Sequence, residues 1–313
     1  MPARALSQKG YQIRVSTHLE DADMHSQDIF IIANPHCSAE LLNQTEACAR
    51  YCSQNKSKKL IIDIDRNFLQ CPPHTHGYKE FGPGNPQNLH RFETLLTQAD
   101  TVIVPSAKLA EVYKPFAHNI QMIPPSWTHE DLLWEKPTPK RSNLHIGVIS
   151  QFTDAKQVNL IKEGVKRLLA ENDHILLTIG GDMRISDAFT GIPEKRKMFI
   201  PIGHAHDYPY LLAYYDILLI PLYKSEYDQS LSDQSLLEAG IRRIPWIASP
   251  NPAFKAWDVG GMFAEKKGDW YTLLRQLTKD DSLRVTLGQA GRLNSDKREA
   301  KQMVGNWEKV IFE

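Results

Sequence analysis

The chain has 313 residues, with 37 basic and 37 acidic side chains and a formal charge of zero. It is too long for one ordinary core, so two domains are expected. Charge balances in each half, which argues against a nucleic-acid partner and against global attraction to anionic lipid. No apolar run approaches bilayer-spanning length and no secretory leader follows Met1, so the four cysteines, Cys37, Cys48, Cys52 and Cys71, read as free thiols in a reducing cytoplasm.

Residues 2–10 read as a helix running into a strand at Tyr11–Thr17. Short apolar, β-branched runs then alternate with helical periods. Strands are expected at Asp28–Asn34, Lys59–Asp65, Asp100–Ser106 and Asn119–Pro125, with helices near 38–54, 86–98 and 106–115. A polar, proline-containing stretch, Trp134–Ser142, marks the boundary, giving domains at 1–138 and 139–313. The second half repeats the rhythm with strands at Leu144–Ser150, His174–Gly181, Lys197–Gly203, Asp216–Leu222 and Pro245–Ser249. Between the first two of these, Val158, Ile161, Val165, Leu168 and Leu169 form one apolar stripe at helical spacing. Asp281–Glu313 reads as two helices, the last of which is a candidate to pack back on the first domain. Strands this apolar, alternating with helices, imply an α/β protein with two doubly wound parallel sheets. Such a domain normally opens with a strand and a glycine-rich turn. The amino-terminal one reads as lacking that first strand: either the domain is shortened or the chain starts late, which leaves open an oligomer or a partner that supplies the strand.

The most informative stretch is Ser232-Asp233-Gln234-Ser235-Leu236-Leu237-Glu238-Ala239-Gly240. It follows the strand Asp216–Leu222 and precedes another at Pro245–Ser249. A helix N-terminus at the carboxyl end of a parallel strand favours phosphate, because its first N–H groups point outward with the macrodipole behind them. Ser232 and Asp233 suit the cap. Glu238, about a turn and a half further on, could grip sugar hydroxyls; the plainer reading is a solvated acid. Lys156 opens a helix after a parallel strand and is either a surface lysine or a cation for a diphosphate. Asp63 and Asp65, at a strand's carboxyl end, are turn acids or sugar contacts. His36 is a candidate cleft histidine. Cys71, His74 and His76 lack the spacing of common zinc modules, so a loop near an acceptor is preferred to a metal site and no metal is expected. Cys48 and Cys52, one helical turn apart, read as buried thiols.

On these residues the chain resembles the GT-B glycosyltransferases, specifically the "group 1" or family-four class and its cell-surface polysaccharide subgroup. Asp216–Ser249 is similar to that class's donor stretch ending in "LEA…GxPVIAS", and Asp233 to Glu238 to its "KSDLKLLEY" variant. Lys59–Asp65, the loop Cys71–Tyr78, Ala99–Asp100 through Ala110, and Met122–Pro125 resemble further patterns of the subgroup.

The resemblance implies two Rossmann-like domains, an acceptor domain followed by a donor domain. It implies transfer of a sugar, with retention of configuration, from a nucleotide diphosphate to a saccharide, lipid-linked or protein acceptor. No metal or other cofactor is implied. Lys156 matches the class lysine that stabilises the diphosphate, and Glu238 the glutamate that holds ribose. The preceding glycine and arginine fall on Ser150 and Gln151. The earlier glutamate of the class falls on Ser230, for which Asp228 or Glu226 are possible substitutes. Gly203 and His204 sit where the class turns toward the base, and the amides near Ser232 face phosphate. The location implied is cytoplasmic, with peripheral attachment to the inner membrane face left open. Gln151, Ser230 and the missing strand also suit a degenerate GT-B protein that binds sugar, nucleotide or a partner without turnover. An epimerase or phosphorylase on the same fold is a third reading.

Overall fold

A computed structural model describes residues 2–75, 77–137, 141–151, 153–203 and 208–312. In chain order the elements are α1 (Pro2–Gln8), α2 (Asp21–Ser26), β1 (Ile29–Ala33), α3 (Ala39–Gln54), β2 (Lys59–Asp63), α4 (Gly77–Glu80), α5 (Pro86–Gln98), β3 (Thr101–Val104), α6 (Ala107–Tyr113) and β4 (Ile120–Met122). There follow β5 (Leu144–Ile149), α7 (Val158–Glu171), β6 (Ile175–Gly180), α8 (Met183–Ala188), β7 (Lys197–Ile200), α9 (Tyr208–Leu212), β8 (Ile217–Ile220), α10 (Glu226–Gln229) and α11 (Gln234–Ile241). The remainder is β9 (Trp246–Ala248), β10 (Gly261–Phe263), α12 (Asp269–Lys279), α13 (Asp281–Asp296) and α14 (Ala300–Phe312). Two compact units result. The first comprises Met1–Ser126, Ser225–Ser232 and Ala300–Glu313, and the second Trp127–Lys224 and Asp233–Glu299.

The first unit holds a parallel sheet in the order β1-β2-β3-β4. Because each strand lies beside its predecessor, successive right-handed crossovers put α3, α5 and α6 on one face. There Leu42, Cys48, Phe92, Leu95 and Leu109 bury against Leu60, Ile62 and Val102. The opposite face is covered by the two terminal helices: Leu6 of α1 and Val304, Trp307 and Val310 of α14 pack on Ile61, Ile103 and Ile123. Helices α1 and α14 therefore share one face of this sheet.

Tyr11–Thr17 is not a strand, contrary to the sequence expectation. It pairs with no strand among the described residues, and its side chains lie exposed, Val15 at 79%. Its polar groups are held by side chains instead. The Tyr11 hydroxyl donates to Glu308 at 3.1 Å, and Arg14 pairs with Asp23 at 2.5 Å and Glu20 at 3.2 Å. Alternating apolar residues make a strand only where a neighbouring edge takes the backbone groups.

The second unit has the order β10-β9-β8-β5-β6-β7, all parallel. The chain starts at β5, builds outward through β6 to β7, and returns to build through β8 and β9 to β10. This is the doubly wound order, with its switch point between β5 and β8. The sequence expectation lacked β10. The segment from Trp127 to Pro137 joins this unit: Trp127 Nε1 donates to the Ser295 carbonyl at 2.8 Å, and Arg292 lies 4.5 Å over the Trp127 ring. The first change of unit along the chain falls between residues 126 and 127, and others follow at 224/225, 232/233 and 299/300.

Candidate functional site

Ligands of open α/β sheets bind outside the carboxyl ends of the strands at the switch point. In the second unit that point is bounded by the turn after β5 and the loop after β8. Ser150 and Gln151 leave β5, and the Ser150 amide donates to the Gly180 carbonyl at 2.9 Å. Gly181 has φ +97°, and a Cβ there would overlap Ser150 Oγ, so the two strand ends approach closely. Asp154 then organises the turn before α7: its Oδ1 accepts from the amides of Lys156 at 2.7 Å and Gln157 at 2.9 Å, and Gln157 Oε1 accepts from the Asp154 amide at 2.9 Å. Lys156 is exposed in this turn, and its carbonyl accepts from the Tyr223 hydroxyl at 2.6 Å. Tyr223, on the loop after β8, therefore ties the two sides of the switch point together. Gly203 lies just past β7, two strands out from β5; a cavity of about 210 Å³ is lined by Ile200, Pro201, Ile202, Tyr210, Leu211 and Tyr214. His204 and His206 lie outside the described residues.

Helix α11 starts at the carboxyl end of this sheet, as the sequence predicts. Asp233 stands at its N-cap position, but its side chain does not cap. The carboxylate is 3% exposed and accepts instead from Trp257 Nε1 at 2.8 Å and Arg298 Nη2 at 2.9 Å. The capping role read from the sequence for Asp233 is thus corrected: tertiary donors outcompete the local amides. Glu238 is 7% exposed. Its Oε1 accepts from Gln234 Nε2 at 2.7 Å, one helical turn back, and its Oε2 from the Tyr208 hydroxyl at 2.5 Å. Burial raises its pKa to about 7, with both hydrogen bonds opposing that rise. The reading of Glu238 as a solvated acid is excluded. Gly240 serves packing, since a Cβ there would overlap Ser295 Oγ on α13. Arg243, just past the helix, takes the left-handed φ of 57° that glycine usually supplies.

The remaining candidates belong to the first unit. Asp63, at the end of β2, has its pKa raised to about 6 by burial, with the Asp65 charge adding to the rise. Asp65 is paired with Arg66 at 3.4 Å, and Arg66 also hydrogen-bonds the Tyr227 side chain. These four converge at the carboxyl ends of the strands. His36 stands apart from them. It is 1% exposed, stacks on Phe92 with ring centroids 3.8 Å apart, and meets Phe68 edge-on at 4.2 Å. Burial depresses its pKa to about 3. The cleft position read from the sequence is therefore corrected to an aromatic cage in the core. Ser230 is wholly buried; its hydroxyl donates to the Tyr227 carbonyl at 2.7 Å, and its own carbonyl accepts from Ser106 Oγ at 2.8 Å. Of its possible substitutes, Asp228 is buried and Glu226 accepts from Gln70. Ser232 is half-buried in the same unit. Cys48 and Cys52 are buried free thiols 3.9 Å apart, and the Cys71 thiol lies 2.7 Å from Thr75 Oγ1.

Sequence reasoning missed Gln234, Tyr208, Trp257, Arg298 and Tyr227. Only Gln234 carried a local signal, its spacing of four from Glu238 on one helix.

No family model matches the sequence, and no curated protein matches it significantly. Solved structures do. TarM shares 16% identity at a TM-score of 0.64 over 91% of this chain, which spans only 55% of TarM. HepE from Anabaena, solved with UDP and glucose, shares 13% at a TM-score of 0.66 over 92% of this chain and 78% of HepE. A glycosyltransferase from Rickettsia africae shares 11% at a TM-score of 0.62 over 98% of this chain and 86% of its own. Likeness at such identities establishes the fold, which is that of the GT-B glycosyltransferases, as the sequence resemblance implied.

Proposed function

We propose that the chain is a glycosyltransferase that moves a sugar from a nucleotide diphosphate to an acceptor hydroxyl. The observation that carries this reading is the switch point between β5 and β8, flanked by Lys156 and by α11 with Glu238. That arrangement suits a nucleotide whose diphosphate meets Lys156 and the start of α11 and whose ribose meets Glu238. HepE, of the same fold, was solved with UDP and glucose, which supports a nucleotide-sugar donor here. Lys156 would stabilise negative charge growing on the leaving phosphate, an effect typically worth a few kcal/mol of barrier. Transfer with retention, the donor phosphate helping to take the acceptor proton and no metal taking part, completes the proposal. Asp63 and Asp65 are its candidates for the acceptor, a saccharide, a lipid-linked saccharide or a protein. No described helix is long and apolar enough to cross a membrane; a cytoplasmic location with peripheral contact to the inner membrane face is part of the proposal.

Titration calorimetry with UDP and GDP tests the site, using wild type, Lys156→Ala and Glu238→Ala. Wild-type binding that both substitutions weaken supports it. A wild type that binds neither nucleotide, or variants that bind as wild type does, overturns it.

One observation favours a second reading, a protein that binds a ligand without turnover. Both Glu238 oxygens already have donors, and Ser230 spends its hydroxyl inside its own turn. Slow release of UDP or GDP from a nucleotide sugar, abolished by Lys156→Ala, would exclude it.

A further inference from the structure

The resemblance puts the class arginine at Gln151, and an amide supplies no charge for a diphosphate. The loop on the other side of the switch point carries one. Lys224 lies four residues beyond the end of β8, at Ile220. Its neighbour Tyr223 donates its hydroxyl to the Lys156 carbonyl at 2.6 Å. That bond seats the β8 loop against the turn that bears Lys156, and Lys224 is only ~3.8 Å further along the chain. The loop is pinned from behind as well, because the Leu222 amide donates to Ser249 Oγ at 2.9 Å. The chain bends at Lys224 and Ser225, so the strict alternation of an extended strand does not govern where Lys224 points.

Both lysines are exposed, and among the described residues neither ammonium has a hydrogen-bond or ion-pair partner. Two arginines of the second unit are committed elsewhere: Arg298 to Asp233 beside the start of α11, and Arg184 to Asp182 after β6. A second observation falls in the same β5–α7 turn. Thr153 is 3% exposed, and its Oγ1 has no hydrogen-bond partner among the described residues. A buried hydroxyl without a partner is rare, because it forfeits its solvation for nothing. A phosphate oxygen at the switch point would give it one.

We infer that Lys224 and Lys156 form a two-lysine clamp on the diphosphate of a nucleoside diphosphate, with Lys224 supplying the charge that Gln151 lacks and the Thr153 hydroxyl donating to the same group. This rests on the nucleotide-sugar reading of the second unit. Lysine serves a phosphate as a point charge, so either ammonium can engage whichever oxygen is nearest without a fixed fork geometry. Two such cations on opposite loops bracket the diphosphate and leave sugar and base to other residues.

The test is calorimetry with UDP, GDP, uridine and inorganic pyrophosphate, on wild type, Lys224→Ala, Lys224→Arg and Thr153→Val, at two salt concentrations. Lys224→Ala should weaken UDP roughly tenfold or more while leaving uridine unchanged, and should flatten the salt dependence. Lys224→Arg should restore UDP binding to within about threefold, because charge is what matters. Thr153→Val should weaken UDP and pyrophosphate together. Lys224 is exposed, so an unchanged melting temperature serves as the folding control. If wild type binds UDP and Lys224→Ala binds it within about twofold, the clamp is wrong and the nucleotide reading stands. If wild type binds pyrophosphate in a Lys224-dependent way but neither UDP nor GDP, the clamp stands and the nucleotide reading falls. If wild type binds none of the probes, both fall.

Discussion

The Tyr208 hydroxyl donates to Glu238 Oε2 at 2.5 Å, while Gln234 Nε2 occupies Oε1 at 2.7 Å. A buried carboxyl with two donors and, among the described residues, no cation beside it is an acid whose charge is tolerated without being neutralised. Burial prevails, and its pKa rises from the ordinary 4.5 to about 7. Between those values the folded chain keeps a proton on Glu238 that the unfolded chain has released. Stability from this group therefore falls as pH rises from about 4.5 to about 7, and the cost is fully present above that window. Glu238→Gln removes the titration. The variant should show a flatter melting-temperature profile across the window and should exceed wild type by about 1–2 kcal/mol at pH 8. Unchanged slopes in the two profiles would show that Glu238 does not titrate there.

Tyr208→Phe separates the two readings of the site. The substitution strips one donor from Glu238, so stability should drop by about 2 kcal/mol at pH 8, where the group is mainly ionised, and by less at pH 5. It also vacates the oxygen that a ribose hydroxyl needs. If the site takes a nucleotide, UDP affinity measured at pH 8 should rise several-fold, because ribose no longer displaces a bonded phenol. If binding does not rise, Glu238 is a structural acid buried beneath Tyr208, and the reading without turnover gains.

The fold was largely legible because its signals are local and repeated. The run at Leu144–Ile149 and the stripe Val158, Ile161, Val165 each declare their element, and alternation of such elements dictates a parallel sheet. Tyr11–Thr17 failed for the opposite reason: it has the alternation of a strand, but pairing depends on a neighbour that local sequence does not specify. The candidate site was legible in position and opaque in state. That Glu238 sits on a helix after β8 follows from the pattern. That Tyr208, thirty residues earlier, bonds it depends on how α9 packs. His36 shows the same gap. It follows a strand end, as cleft histidines do, yet Phe68, Phe81 and Phe92 close around it, from positions far along the chain.

The Asp233–Arg298 pair is the strongest test of how the start of α11 is held. Asp233 is almost fully buried, and its carboxylate depends on one guanidinium and one indole N–H. Removing a single partner from a buried pair leaves an uncompensated charge, which costs more than the pair itself contributes. Arg298→Met should therefore destabilise the chain by about 3–5 kcal/mol in urea unfolding. Arg298 also gives its backbone carbonyl to the Trp127 amide at 3.1 Å, but a side-chain substitution leaves that bond in place. Asp233→Asn distinguishes lost charge from lost packing. An asparagine amide can still accept from Trp257 Nε1, and without a carboxylate there is nothing for Arg298 to neutralise. In the Arg298→Met background, Asp233→Asn should recover at least about 1 kcal/mol, so that the double variant is more stable than Arg298→Met alone. If the two substitutions simply add, the ion pair contributes nothing specific, and Arg298 supports α11 through the packing of its aliphatic stem.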